Sequence, residues 1–245
     1  MDIYKHLNRN IFHRFNLHLT PFKKSNTLEG LLTSLKLKGL ELEVVFDVGA
    51  YQGKWSKNVS EYVSPSAKFY LFEPNRSHKP NQERECFKYF NCLLWSKDGE
   101  EIPFYSNSST GDSVYKEVGE IYKNIIPQLV KTRTLDSLIR EHRLPQPDFI
   151  KLDTQGAELD ILKGSKKALE LTKLLVIELP VIVYNEKSPT MSEVLDYLDQ
   201  ANFVPIGITE IHIRKKVLIQ VDIAFINNRE FELIFNTHNI FNKMR

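Results

Sequence analysis

Four short apolar runs, each closing on an acid, set the rhythm of the chain: Val44 to Phe46 before Asp47, Phe69 to Phe72 before Glu73, Phe149 to Leu152 before Asp153, and Leu174 to Ile177 before Glu178. None alternates cleanly with polar residues, so each reads as a parallel strand buried on both faces. Lys54–Tyr62 carries the helix between the first two. Phe87–Leu94 is a third strand, reached through a polar stretch, Asn75–Glu85, with room for a short helix. Lys97-Asp-Gly-Glu100 is a hairpin-type turn before alternating Ile102 and Phe104, which predicts a β-excursion. Met191–Ala201 follows as a helix with Val194, Leu195 and Leu198 inward. Phe203–Ile208 and Val217–Ile226 are then a sixth and a seventh strand, and the link through Arg214-Lys-Lys216 is short enough for an antiparallel hairpin. Strands alternating with helices predict one doubly wound α/β domain over residues 41–230, with helices on both sheet faces.

The ends read differently. In residues 1–40, Ile3, Leu7, Ile11, Phe12 and Phe15 recur near helical period among Lys5, His6, Arg9, His13 and Arg14. Such a basic amphipathic helix packs on its own domain or across a homodimer; the sharper alternative lays it on an anionic membrane surface. Asn26 and Glu29 resemble a capping box opening a second helix with Leu28, Leu31, Leu32 and Leu35 inward. Residues 231–245 form an amphipathic tail. With 33 basic against 31 acidic residues the net charge is only +2, which gives no reason to invoke a nucleic-acid partner. No apolar run reaches the ~18 residues of a membrane span, and MDIYKHLNRN lacks the apolar core of a secretory leader, so a cytoplasmic location is expected. The two cysteines, Cys86 and Cys92, are expected as buried free thiols on one strand face. No cysteine or histidine cluster has metal-ligand spacing, and no metal is assigned.

The chemistry concentrates where strands end. After Asp47, the turn Gly49-Ala50-Tyr51-Gln52-Gly53 lets the backbone come close to a ligand at a helix N-terminus. Tyr51 stands where a pyrophosphate binder needs its second glycine, which argues against a dinucleotide; the acid with looser glycines looks like the first motif of S-adenosylmethionine-dependent methyltransferases. A βα turn of some other doubly wound protein stays open on this stretch alone. Glu73 follows Gly53 by 20 residues (73 − 53), the separation that puts a carboxylate on ribose hydroxyls. Its alternative is a solvated strand end. Leu94, Trp95 and Ser96 end the third strand beside the expected base, with a plain core role for Trp95 equally open. Asn107–Asp112 is either a loop over substrate or a surface loop.

Taken together, the chain resembles the FkbM family of S-adenosylmethionine-dependent methyltransferases. The residues that carry the resemblance are Phe46-Asp-Val-Gly-Ala-Tyr-Gln-Gly53, Phe72-Glu-Pro74, Thr134-Leu-Asp-Ser-Leu138, Ile150-Lys-Leu-Asp-Thr-Gln-Gly-Ala-Glu158, Leu162-Lys-Gly164 and Gln220-Val-Asp-Ile-Ala-Phe225. The resemblance implies a Rossmann-like class I domain: a mostly parallel seven-stranded sheet whose antiparallel last strand inserts beside the fifth. It also implies S-adenosylmethionine as cofactor, held by Asp47, Gly49, Ala50, Tyr51, Gly53, Glu73, Pro74, Leu94, Trp95, Ser96 and Asp153. The reaction implied is methyl transfer to oxygen, often a sugar hydroxyl on a glycan or a glycosylated small molecule. Two departures stand out: Gln155 where the family has an acid, and Tyr51 where it has asparagine.

An alcohol that attacks a sulfonium methyl must be held in line and benefits from losing its proton to a base. Asp153 is the first candidate for base or orienting acceptor and Glu178 the second, with Glu158 also facing substrate or else stabilising its helix N-terminus. A magnesium ion bridging such acids to a sugar diol fits hard oxygen ligands, but no clustered ligand motif supports it. His142 lies in a charged helix end, and His212 alternates with Ile211 and Ile213 as an outward strand residue. Asp222 either reaches the site or makes a structural hydrogen bond. Two other readings remain: a catalytically silent S-adenosylmethionine-binding module serving a partner, which Gln155 favours, and a nicotinamide oxidoreductase, which Tyr51 disfavours.

Overall fold

The computed structural model describes residues 27–80, 84–106, 111–118 and 124–235. The expected N-terminal amphipathic helix, the Asn26 cap, most of the Asn107–Asp112 loop and the last ten residues lie outside this range.

The expected sheet is present. Strands β1 (Val44–Val48), β2 (Lys68–Phe72), β3 (Phe87–Phe90), β7 (Phe149–Leu152), β8 (Leu174–Pro180), β9 (Phe203–Arg214) and β10 (Val217–Asn227) form seven strands in the order β3-β2-β1-β7-β8-β10-β9. Strands β3 to β8 in this order are parallel, and β10 inserts antiparallel between β8 and β9. The order reverses between β1 and β7, where an open α/β sheet leaves a crevice at its carboxyl edge.

Both faces are covered, which is why the central strands are apolar at most positions, Asp47, Lys151 and Glu178 excepted. On one side Val45, Phe69, Phe149 and Val176 meet Leu32 and Leu35 of helix α1 (Leu28–Leu37) and Val59 of α2 (Lys54–Val59). On the other, Phe46, Phe72, Ile150 and Ile177 meet α3 (Leu135–His142), α4 (Glu158–Lys163), α5 (Lys166–Leu171) and α6 (Met191–Gln200). Each fully buried Phe or Leu contributes roughly 2 kcal/mol of transfer free energy, so these two layers dominate stability. Helix α7 (Asn228–Phe235) lays Phe231, Ile234 and Phe235 against the first layer. Helix α1 is capped by the Thr27 hydroxyl, which accepts from Gly30 N at 3.3 Å.

Three elements differ from the sequence reading. The expected third strand breaks at Asn91, whose amide donates to the carbonyls of Glu73 (2.9 Å) and Pro74 (2.7 Å) and turns the chain out of the sheet. Leu93–Leu94 (β4) then joins a separate sheet of order β4-β6-β5, with β5 at Glu101–Phe104 and β6 at Gln128–Arg133. The Lys97–Glu100 turn therefore closes no hairpin, because β6 arrives from thirty residues on and lies between its two arms. The cysteines also part company: Cys86 is exposed before β3, while Cys92 is half-buried, and burial pushes its thiol up to about 12.

Candidate active site

The β1–β7 crevice opens into a cavity of about 290 Å³ walled by the turn after β1, the loop after β7 and the three-stranded excursion. The glycine turn is built for close approach. Gly49 has φ +76°, and a Cβ there would stand 1.8 Å from the backbone oxygen of Asp153, so two backbones touch where any side chain would collide. Gly49 N and Ala50 N both donate to the Phe72 carbonyl, at 3.0 and 3.2 Å, which seals the turn to β2. Tyr51 takes a left-handed φ of 47° and donates its N–H to Glu73 Oε2 at 3.0 Å.

Glu73 thus faces the cavity with its other oxygen on Asn75 N at 2.9 Å. Burial pushes it up to about 7 against the pull of those two N–H groups. His78 Nδ1 lies 3.8 Å from Glu73 and 3.7 Å from Asp112, and its ring packs 4.4 Å from that of Tyr51. Asn75 ties this corner to the excursion by donating to Asp112 Oδ2 (2.7 Å) and Ser106 Oγ (2.9 Å). Phe72, Leu94, Phe104, Val114 and Ile161 make an apolar slot next to it.

At the opposite end a buried cation organises the acids. Lys151 sits opposite Asp47 in the β1–β7 register, with Nζ 3.8 Å from Asp47 Oδ1 and 2.9 Å from Asp153 Oδ2. Burial alone would raise the Asp153 carboxyl, but Lys151 outweighs it and holds Asp153 below the usual range. Its side chain is 32% exposed and lines the cavity. Glu178 goes the other way: burial and the charges of Asp153, Glu158 and Asp222 push it up. Gln155, at φ +55°, bridges the two by donating to Asp153 Oδ1 (3.2 Å) and Glu178 Oε2 (2.7 Å), while its own Oε1 accepts from Tyr184 at 2.9 Å. Two left-handed residues in succession, Gln155 and Gly156, mark this loop as strained, as loops at functional sites tend to be.

Of the residues singled out in the sequence, Gly49, Ala50, Tyr51, Glu73, Pro74, Leu94 and Asp153 come together on the cavity wall. Gly53 starts α2 beneath them. Asp47 does not end its strand as expected: it is fully buried inside β1, with Oδ2 accepting from Ser56 at 2.7 Å. Its Oδ1 is the single buried side-chain oxygen or nitrogen among the described residues without a hydrogen bond. Trp95 and Ser96 pass behind the wall, where the Trp95 backbone packs against Gly164. Glu158 is 2% exposed and folds back onto its own loop, accepting from Thr154 N (2.9 Å), Thr154 Oγ1 (3.0 Å) and Gly156 N (3.2 Å). It stitches the loop from below, away from the cavity. His142 ends α3 against the Phe90 ring.

The sequence reading missed Lys151, His78 and Asp112. Lys151 was within reach, because period-two alternation puts it on the same strand face as Asp153. His212 was read as outward; its Nε2 in fact lies 3.2 Å from Asp222 Oδ1 and 3.8 Å from Glu178 Oε1.

The sequence is similar to those of known proteins. Residues 47–205 match the methyltransferase FkbM domain. A hexuronic acid methyltransferase, AglP of Haloferax volcanii, is 28% identical over 57% of this chain and 56% of its own length. The match thus spans little more than half of that relative. A 2-O-methyltransferase, NoeI of Sinorhizobium fredii, is 26% identical over 66% of this chain and 73% of its own. Among solved structures, magnesium protoporphyrin IX methyltransferase from Synechocystis PCC 6803 with bound SAM aligns at TM-score 0.45 and 11% identity, covering 91% of this chain and 94% of that one.

Proposed function

Because the chain belongs to the FkbM methyltransferase family, with a class I fold and S-adenosylmethionine as its methyl donor, we propose that it methylates a hydroxyl of a sugar, glycan or glycosylated small molecule. One observation carries the choice of acceptor: the donor cavity ends on the Lys151–Asp153 ion pair, with Asp153 held below the usual carboxylate range. Hydroxyls both donate and accept, and this pair offers them one partner of each kind. The activities of AglP and NoeI, on a hexuronic acid and at a 2-oxygen, point the same way.

The residues suit the donor. The apolar slot at Leu94 and Phe104 takes a base, and Glu73 keeps lone pairs for ribose hydroxyls beyond the two N–H groups it already accepts. Gly49, Ala50 and Asp153 on the cavity wall would flank the amino-acid part. When bound, S-adenosylmethionine supplies an electrophilic methyl on a sulfonium. Asp153 would accept the hydrogen bond of the attacking hydroxyl and take its proton as the methyl group passes to that oxygen and its bond to sulfur breaks, leaving the thioether S-adenosylhomocysteine. Lys151 keeps Asp153 ionised for that task, and Glu178 fixes its orientation. The apolar walls exclude water that would compete for the methyl group. Free Cys86 and Cys92 suit a reducing, cytoplasmic setting.

The test is methyl transfer from label-bearing S-adenosylmethionine to a panel of uronic acids and oligosaccharides, followed by mild alkali. Alkali-stable label, lost in Asp153→Asn, is the expected outcome. Label released by alkali would mean an ester on a carboxylate and would sink the hydroxyl reading.

A further inference from the structure

The mechanism leaves one cluster unused. Asp222 lies opposite Glu178 in the β8–β10 pairing and opposite Glu210 in the β9–β10 pairing, and His212 is two residues beyond Glu210 on β9. Period two therefore puts all four on one sheet face at the carboxyl edge. The β9–β10 register slips on both sides of the Gln220–Asp222 segment, between Leu218 and Gln220 and again between Asp222 and Ile223. Such slips re-aim side chains, and here they bring His212 diagonally onto Asp222.

We propose that Glu178, His212 and Asp222 form a divalent metal site next to the cavity, joined to its Asp153 end by Gln155, which donates to both Asp153 and Glu178. One ligand atom from each lies within 4.8 Å of the others. Ions that bind carboxylate and imidazole at about 2.0–2.3 Å hold such atoms at separations of this size, so an ion fits between them without backbone movement. Glu178 and Asp222 are 7% and 9% exposed, and His212 leaves the site open on its solvent side. The donor set, two carboxylates and one imidazole with no thiolate, selects manganese or zinc over magnesium. Charge supports the assignment: Asp153, Glu178 and Asp222 crowd together while the nearby cation, Lys151, is already shared by Asp47 and Asp153. The second shell is in place as well, with Gln155 on Glu178 Oε2 and the Thr209 hydroxyl on the Asp222 carbonyl. On the O-methylation reading, on which this step rests, the open positions of the ion hold two adjacent oxygens of the acceptor and fix which of them meets the methyl group.

The test uses Mn²⁺ titrated into the metal-stripped full chain, with free ion counted by electron paramagnetic resonance. One equivalent bound, nitrogen coupling from an imidazole in the pulsed spectrum, and binding about tenfold or more weaker in both His212→Ala and Asp222→Asn are expected. Calorimetry with S-adenosylmethionine checks that both variants keep the folded cofactor cavity. Equal Mn²⁺ binding by His212→Ala, no binding by the wild type, or bound Mn²⁺ without nitrogen coupling would overturn the site and leave His212 as a hydrogen-bond partner of Asp222 alone. Methyl transfer lost to a chelator and restored by Mn²⁺ is expected, and transfer that survives chelation would remove the ion from acceptor binding. Failure of the wild type to bind S-adenosylmethionine would strike the methyltransferase reading instead.

Discussion

At Gly49 the missing side chain is itself the structural feature. Its backbone rests against the Asp153 carbonyl, so Gly49→Ala must push two loops apart and also strain a left-handed φ. A loss of about 2–4 kcal/mol in urea unfolding is expected. Gly207→Ala, where an added Cβ meets nothing within 4 Å, should stay within about 0.5 kcal/mol of wild type. Equal effects would show that the contact does not constrain the turn. Glu73 makes a different kind of prediction. Its carboxyl is raised from 4.5 to about 7, and ribose hydroxyls donate to the ionised form. Affinity for S-adenosylmethionine should therefore fall as pH drops through about 7, approaching tenfold per pH unit, and Glu73→Gln should flatten the profile. A wild-type affinity independent of pH by calorimetry would exclude Glu73 as the ribose ligand.

Among the elements, the loop from β7 into α4 was the most legible and the excursion the least. Lys151-Leu-Asp-Thr-Gln-Gly-Ala-Glu158 folds by local rules: a strand ends, a glycine turns, and an acid in the first helical turn takes up the loose N–H groups. The break after β3 could not be read, since what ends that strand is the Asn91 amide reaching the carbonyls of Glu73 and Pro74 across a neighbouring strand. Pairing of β6 with both β4 and β5 is equally non-local, and a turn signal such as Lys97–Glu100 says nothing of which strand comes to lie between its arms. In the β7–α4 loop, Gln155 is the one neutral donor between two acids. Gln155→Glu should cost about 1–3 kcal/mol at pH 8 and less at pH 6, where an added proton restores the bridge. Urea unfolding at the two pH values measures it, and equal costs would rule out charge as the cause.

For the whole molecule, the separate strands followed from runs of apolar residues, because buried parallel strands announce themselves one at a time, and the place of the antiparallel last strand followed from the family resemblance. The acid–imidazole face did not, because it exists only once β8, β10 and β9 are in register. Buried acids also set the response to pH. Asp47, Glu73, Glu158, Glu178 and Asp222 are all raised, so the folded chain binds protons that the unfolded chain has released. Stability must therefore decline as pH rises above the ordinary carboxylate value, with the Glu73 contribution complete past about 7 and that of Glu178 continuing higher. Asp98, Glu141 and Glu193 are lowered, and what they contribute is lost only in acid, outside this window. The protein without ligand should melt several degrees higher at pH 6 than at pH 9, at roughly 2–4 °C per kcal/mol. A flat melting profile across that range would contradict the raised acids.

The contact between Gly49 and the Asp153 carbonyl also assigns the two sides of the cavity to different timescales. Backbone wedged against backbone cannot swing, so this side serves as a fixed jamb. Exchange of the donor must then pass through the opposite wall, where the Asn75 amide latches onto Asp112 and Ser106 through side chains alone. Asn75→Ala should shorten the residence time of S-adenosylmethionine several-fold while leaving its arrival rate nearly unchanged, as stopped-flow displacement would record. An unchanged residence time would put the exit elsewhere. Release of the donor would then be timed by a pair of hydrogen bonds on the wall opposite Asp153.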